Sequence, residues 1–154
     1  MKVLFLDFDG VLNSLQYDRE KDATKNNSID ETRLRLLKKV IDETKAKIVL
    51  TTSWRRHWNK ARALCDEVGL WISELFSRYG LDIYDKTPDL PSSVGRKSEI
   101  LDWLNNLKEP VESFVILDDE KIGGNLKNHF VKCNCNYGFR EPEMFKALTI
   151  LNNE

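Results

Sequence analysis

The chain has 154 residues, of which 41% are hydrophobic and 32% are charged, and its formal net charge at pH 7 is −1. This composition argues against a disordered chain and against a membrane protein, and the length fits one domain, residues 1–154, with a three-layer core. The nearly neutral charge gives no global attraction to nucleic acid, but it does not exclude a local basic patch.

The first third of the chain alternates between strand and helix patterns. A short apolar run at 2–6 predicts a strand that is buried on both faces. Residues 13–28 are too polar to be buried and predict a loop or a small flap. Apolar residues at helical spacing then predict a helix over 29–41, and residues 46–50 predict a second buried strand.

The segment after the second strand is less regular. Residues 58–68 predict a helix that ends at Gly69, residues 70–72 fit a short third strand, and residues 73–91 show no clear pattern. Regular patterns then return as a helix at 97–107, a strand at 113–117, a fifth strand at 130–135 and a closing helix at 142–151. We therefore predict an α/β fold, a doubly wound parallel sheet of about five strands with helices on both faces.

The three cysteines favour a reducing compartment. Cys133 and Cys135 lie two apart in one predicted strand, and same-face neighbours are poorly placed for a disulfide. A zinc site would need further ligands at recognisable spacing, so we expect buried free thiols at these positions and at Cys65. The first strand begins at the second residue and no apolar run is long enough to cross a membrane. We expect a cytoplasmic protein with neither a signal peptide nor a membrane partner.

Asp7 and Asp9 directly follow the first strand. Because side chains alternate along a strand, both carboxylates leave its carboxyl end in the same direction. Gly10 allows a sharp turn and a close backbone approach, and open α/β sheets bind ligands beyond the carboxyl ends of their strands. The pair therefore fits a cation and a phosphate, although two aspartates can also simply open a polar turn.

Polar residues also follow two later strands, namely Thr51, Thr52 and Ser53 in one case and Asp118 and Asp119 in the other. If these strands neighbour the first, the groups converge on one crevice, and Lys97, at the start of the intervening helix, joins them. Clustered carboxylates repel unless a cation lies among them, and oxygen ligands suit Mg²⁺. Hydroxyls and an ammonium group beside the metal form an anion pocket, and phosphate is the anion that bridges both.

This arrangement resembles the haloacid dehalogenase (HAD) superfamily of aspartate-nucleophile phosphohydrolases. The run Asp7-Phe-Asp9-Gly10 matches its first motif, the polar end of the second strand its second, Lys97 its third and Asp118-Asp119 its fourth. The motifs stand in the superfamily's order across residues 3–119. This order argues against a signalling receiver module, in which the acidic pair follows the first strand and the lysine comes last.

The resemblance implies a role for each acidic residue. Asp7 is the expected nucleophile, which forms an aspartyl-phosphate with the substrate. Asp9 is the expected general acid and base, because it would protonate the leaving oxygen and then activate water. Asp7, the backbone carbonyl of Asp9, Asp118 and Asp119 are the expected Mg²⁺ ligands, and which member of the last pair binds directly is left open.

The resemblance also implies residues that bind the phosphate. Thr52 is the first choice for the hydroxyl, and a shift of register would give that role to Thr51 or Ser53. Lys97 is the expected cation beside the phosphate, and the adjacent Arg96 is the competing candidate.

No large cap domain fits between the motifs, which implies an open site and a large phosphorylated substrate such as a nucleic-acid end or a phosphoprotein. Arg55 lies beside the second motif and is expected to contact substrate, and Trp54 either stacks on a base or packs in the core. With residues 9–13 and 136–141, this segment is similar to the small HAD domains linked to RNA-repair proteins and to the phosphatase half of polynucleotide kinase-phosphatases. A phosphatase of small metabolites and a non-catalytic binding domain are the alternatives. The sequence gives no indication of oligomeric state.

Overall fold

The computed structural model describes residues 1–20 and 29–153, whose strands form one parallel sheet. The strands are β1 (Lys2–Leu6), β2 (Lys47–Leu50), β3 (Ile83–Lys86), β4 (Ser113–Asp118) and β5 (Phe130–Lys132). They lie in the order β3-β2-β1-β4-β5. The chain therefore adds β2 and β3 on one side of β1 and then returns to place β4 on the other side. In doubly wound sheets, ligands bind beyond the strand ends at such a reversal.

Helices cover both faces of the sheet. The helices are α1 (Leu15–Glu20), α2 (Glu31–Thr44), α3 (Glu67–Arg78), α4 (Gly95–Asn106) and α5 (Glu141–Asn152), with 3₁₀ helices at Ser53–Arg56, Arg62–Leu64 and Gly124–His129. Buried residues of α2, α3 and α5 share one core with Leu4 and Leu6 of β1. Ile100 and Trp103 of α4 share the opposite core with Val3 and Phe5 of the same strand. The predicted α/β doubly wound fold is confirmed.

The register of the central strands sets the level of the polar residues that follow them. Leu6 of β1 pairs with Leu50 of β2 on one side and with Leu117 of β4 on the other. The next residue of each strand is Asp7, Thr51 or Asp118, so these three side chains start at the same height above the sheet. Within the described residues, no separate cap domain is inserted between the strands.

The helix predicted over 58–68 is wrong, since α3 begins only at Glu67. The backbone carbonyls of Arg55 and Trp58 accept hydrogen bonds from the Lys86 ammonium. The helix starts only after Asp66, whose side chain caps α3 by accepting from the backbone N–H of Gly69. Gly69 does not end a helix but lies in the first turn of one. A Cβ there would lie 1.9 Å from the carbonyl oxygen of His57, so only glycine allows this close approach.

The short strand predicted at 70–72 is also wrong, because these residues belong to α3 and Ile72 packs into the core from that helix. The third strand is β3 instead, within the segment 73–91 that carried no pattern. The predicted fifth strand is confirmed but ends at Lys132. All three cysteines are free, yet only Cys133 is buried, whereas Cys65 is half-buried and Cys135 is exposed.

The polar stretch predicted as a loop or flap at 13–28 contains α1, and residues 21–28 lie outside the described part of the chain. Across 1–20 and 29–153, none of the helices combines the length and the apolar character that a membrane crossing requires.

Candidate active site

Three carboxylates meet where β1 and β4 end. One carboxylate oxygen from each of Asp7, Asp118 and Asp119 lies within 4.8 Å of the other two. Asp118 is fully buried, Asp7 is 4% exposed and Asp119 is half-buried. The structure therefore brings together three of the predicted metal ligands, on neighbouring strands at the reversal of the sheet.

This crowding disfavours three negative charges in the absence of a cation. The pKa of Asp7 is raised from 3.8 to about 8, first by burial and then by the charge of Asp118, although Arg96 opposes the rise. Burial and Asp118 also raise the pKa of Asp119. A divalent cation would offset this repulsion, and an all-oxygen donor set is the kind that Mg²⁺ prefers. The residues present thus fit a magnesium ion.

Arg96 supplies the positive charge beside these carboxylates. It stands in the first turn of α4, and its Nη1 lies 3.2 Å from Oδ2 of Asp7 and 2.7 Å from Oδ2 of Asp118. The Lys97 ammonium lies instead against Gly124, where an added Cβ would be 2.4 Å from Nζ. The contact expected of Lys97 is therefore made by Arg96, the competing candidate, because consecutive helical residues point about 100° apart.

Asp9 is exposed, but two side chains hold its carboxylate. Oδ1 accepts a hydrogen bond of 2.9 Å from Nδ2 of Asn13, and Oδ2 accepts one of 3.2 Å from Nε1 of Trp54. Asn13 also accepts from the backbone N–H of Gly10, and the indole ring packs edge-on against Phe8 at 5.8 Å. Asp9 is thus fixed beyond the end of β1 by residues of two different loops.

Gly10 lets the β1 loop pass directly beside the acidic cluster. Its φ is +80°, and a Cβ there would lie 2.4 Å from Oδ2 of Asp119. Any other residue would both strain the backbone and displace a candidate metal ligand. The sequence expectation of a close backbone approach at Gly10 agrees with this geometry.

The three candidate hydroxyls differ in their hydrogen bonding. Thr51 follows β2 directly, and its buried Oγ1 finds no hydrogen-bond partner among the described residues. Oγ1 of Thr52 accepts from the backbone N–H of Trp54 and caps the 3₁₀ helix Ser53–Arg56. Ser53 is exposed. Of the three, the buried hydroxyl without a partner in the described chain is that of Thr51, whereas the sequence favours Thr52.

Arg55, which the sequence predicts to contact substrate, is engaged by groups of the protein itself in this structure. Arg55 is 4% exposed, and it donates to the carbonyls of Thr51, Thr52, Thr87 and Pro88. Its Nη2 also lies 2.5 Å from Oε2 of Glu99 in α4. A guanidinium that is this fully engaged ties the turn after β2 to α4, and it has no donor left for a phosphate.

Trp54 and Asn13 were not predicted to act on Asp9. Both carried a signal, because Asn13 stands four residues after Asp9 and Trp54 stands four residues after the end of the neighbouring strand. An amide or indole N–H at these positions can reach a carboxylate in the same crevice. The sequence did not show which of several polar neighbours would do so.

Comparisons with known proteins place the chain in a family. The model of the family described as the HAD domain in Swiss Army Knife RNA repair proteins matches residues 3–144. A comparison with curated proteins found no match, and neither did a comparison with solved structures. The matched range covers every residue of the acidic cluster as well as Arg96, Asp9 and the turn after β2. The chain therefore belongs to the family of HAD domains in Swiss Army Knife RNA repair proteins.

Proposed function

We propose that this protein is a Mg²⁺-dependent phosphomonoesterase that works through an aspartyl-phosphate on Asp7. The observation that carries this proposal is the cluster of Asp7, Asp118 and Asp119 with Arg96 paired to two of its members. Membership of the HAD family supports phosphohydrolase chemistry in general. The proposed roles of Asp7 and Asp9 are those that the resemblance to the HAD superfamily implies for the two aspartates of its first motif.

In the first step, an oxygen of Asp7 attacks phosphorus, and the bond from phosphorus to the leaving oxygen breaks. Asp9 gives its proton to that oxygen. In the second step, Asp9 takes a proton from water while the water oxygen attacks the phosphoryl group, which releases inorganic phosphate and regenerates the Asp7 carboxylate. Asn13 and Trp54 hold Asp9 over the reacting group during both steps.

The cation and the arginine have related tasks. When bound, Mg²⁺ supplies the positive charge that keeps Asp7 ionised and offsets the charge of the phosphate. Arg96 lies against the nucleophile and can also bind a phosphoryl oxygen, because a guanidinium has five N–H donors in a planar fork. The free hydroxyl of Thr51 donates to a second phosphoryl oxygen in this proposal.

We further propose that the phosphate stands at the end of a nucleic acid, most simply RNA. The family description names RNA repair proteins, and the described chain places no cap domain over the carboxylates. An open site admits a polymer end that a closed site would exclude. A broken strand that ends in a 3′-phosphate must lose that phosphate before its 3′-hydroxyl can be joined to another end.

The decisive experiment measures phosphate release from 3′- and 5′-phosphorylated RNA and DNA oligonucleotides, phosphopeptides, mononucleotides, sugar phosphates and para-nitrophenyl phosphate, each with Mg²⁺ and with chelator. We expect Mg²⁺-dependent release that is fastest from an oligonucleotide. Asp7→Asn should abolish turnover and keep the far-ultraviolet circular dichroism spectrum unchanged. Residual activity within tenfold of wild type would contradict the nucleophile assignment. Turnover of small metabolites alone would contradict the nucleic-acid substrate.

A further inference from the structure

A cavity adjoins the acidic cluster on the side of β5. Its volume is ≈ 420 Å³, and it is lined by Asp119, Lys132, Cys133, Asn134, Cys135 and Glu143. Asp119 belongs both to this cavity and to the candidate metal site, so the two adjoin at this residue. A substrate whose phosphate lies at the metal site can therefore extend into this space.

Glu143 brings an unsatisfied acceptor to the wall of the cavity. It stands in the first turn of α5 and is only 6% exposed. Its Oε1 lies 3.5 Å from Nη2 of Arg140, a long contact, and its buried Oε2 finds no hydrogen-bond partner among the described residues. A buried carboxylate oxygen without a donor is unfavourable, so Oε2 is an acceptor that a ligand's donor can satisfy.

The cavity is unsuited to a second metal ion. In the described chain, the acidic group that could hold a cation consists of Asp7, Asp118 and Asp119 and does not include Glu143. Lys132 also lines the cavity, and the guanidinium of Arg140 lies beside Glu143. The positive charges of these two side chains already offset the negative charge of Glu143. The missing partner of Oε2 is therefore an O–H or N–H group, and Lys132 can meet an anionic group next to it.

We propose that this cavity is a nucleoside subsite, in which Glu143 Oε2 accepts a hydrogen bond from the nucleotide that carries the scissile phosphate. The inference rests on the proposed function. The donor is a sugar hydroxyl or a base N–H, and both belong to the same nucleoside. Lys132, at the end of β5, faces the following phosphodiester of a longer chain. The sugar hydroxyl is also the group by which proteins distinguish RNA from DNA.

The test compares wild type with Glu143→Leu, which has similar side-chain volume and no acceptor. The substrates are ribonucleoside 3′- and 5′-monophosphates, their 2′-deoxy counterparts, ribose 5-phosphate and para-nitrophenyl phosphate. We expect the ratio of kcat/KM for nucleotides to that for para-nitrophenyl phosphate to fall about tenfold or more in the variant, as for loss of a bond to a charged acceptor. If wild type prefers ribonucleotides over 2′-deoxynucleotides and the variant does not, the sugar hydroxyl is the donor to Glu143. If wild type prefers nucleotides over ribose 5-phosphate and the variant does not, the base N–H is the donor.

Arg140→Gln is the matched control, because it removes the neighbour of Glu143 but leaves the acceptor in place. If Glu143 only balances the charge of Arg140, both variants will lose thermal stability and both will keep the wild-type substrate ratio. A ratio within twofold of wild type in Glu143→Leu overturns the proposal.

A measurement of nucleotide affinity tests the nucleoside subsite independently of the proposed phosphatase activity. Calorimetric titration of the same nucleotides into Asp7→Asn protein needs no turnover. Nucleotide binding that Glu143→Leu weakens about tenfold supports the subsite even if wild type hydrolyses nothing, because the contact is worth the same fold-change in affinity. Equal affinity with and without Glu143 overturns it even if wild type is an active phosphatase.

Discussion

Trp54 donates a hydrogen bond from its indole N–H to Oδ2 of Asp9, with 3.2 Å between the two heavy atoms. The bond joins the loop after β1, which carries both catalytic candidates, to the turn after β2. Asn13 binds the other carboxylate oxygen. The residue proposed to move protons is therefore positioned by side chains and not by its own backbone alone.

Trp54→Phe tests this contact with little change in packing. The phenyl ring can keep the edge contact with Phe8, but it has no N–H for Asp9. We expect kcat/KM to fall about tenfold for phosphates with poor leaving groups, and by less for good ones, because a misplaced general acid matters most when the leaving oxygen needs a proton. The measurement is a series of aryl phosphates whose phenols span a range of pKa. An equal loss for every leaving group would show that Trp54 acts only through packing.

Arg96 and Lys97 form a matched pair of neighbours in one helix. Arg96→Met should lower kcat/KM by about 100-fold, the usual loss on removing a group that stabilises transition-state charge, because the cation beside Asp7 is gone. Lys97→Met should lower it less than about fivefold on the same reasoning, because its ammonium lies against Gly124. Steady-state kinetics with para-nitrophenyl phosphate and an oligonucleotide measures both. A larger loss in Lys97→Met than in Arg96→Met would restore Lys97 to the site.

Arg55 should matter for folding more than for substrate binding. Arg55→Met leaves the buried carboxylate of Glu99 without its partner, so we expect a loss of about 3 kcal/mol in the free energy of unfolding. The adjacent Arg56, paired with Asp89 at the surface, is the control, and Arg56→Met should change stability much less than Arg55→Met does, because solvent screens an exposed ion pair. Urea denaturation measures both variants. Similar losses in the two proteins would contradict a structural role for the buried pair.

The raised pKa of Asp7 predicts how stability depends on pH without metal. The ordinary value is 3.8 and the folded value is about 8. Between these values the folded state holds a proton that the unfolded state has released, so this group's contribution to stability falls as pH rises from about 4 to about 8. Thermal unfolding in chelator should show this fall, and Asp7→Asn should reduce it. Added Mg²⁺ should stabilise the wild type more at pH 8 than at pH 5. A stabilisation by Mg²⁺ that does not depend on pH would contradict the linkage.

The parts of the fold that could be predicted are those whose pattern of apolar and polar residues is visible within a short segment of the sequence. β1 and β4 are buried on both faces, so they read as continuous apolar runs, and the aspartates that follow them mark the strand ends. β3 has no such run, because its four residues, Ile83–Lys86, are all half-buried at the edge of the sheet. Its pattern resembles that of a loop.

Other features depend on partners that are distant in sequence. Local sequence predicts a helix end at Gly69, but the small size of this residue serves the contact with the His57 carbonyl. The position of Arg55 next to the second motif predicts a substrate ligand, whereas its ion-pair partner, Glu99, comes 44 residues later. The choice between Arg96 and Lys97 depends on the rotational phase of α4, which a one-residue difference in the helix start would change. Local patterns contain none of this information.

The position of β4 between β1 and β5 has a consequence for how the site comes into being. β2 and β3 are made before β4, yet β4 pairs with β1 and not with them. Asp7 therefore lacks Asp118 and Asp119 beside it until β4, in the last third of the chain, has been synthesised and has inserted into the sheet. Contacts between such distant segments form late and slowly. A fragment that ends before Ser113 lacks Asp118 and Asp119, so we expect it to bind no Mg²⁺ at Asp7, and Mg²⁺ binding by the full chain would report that β4 has joined the sheet.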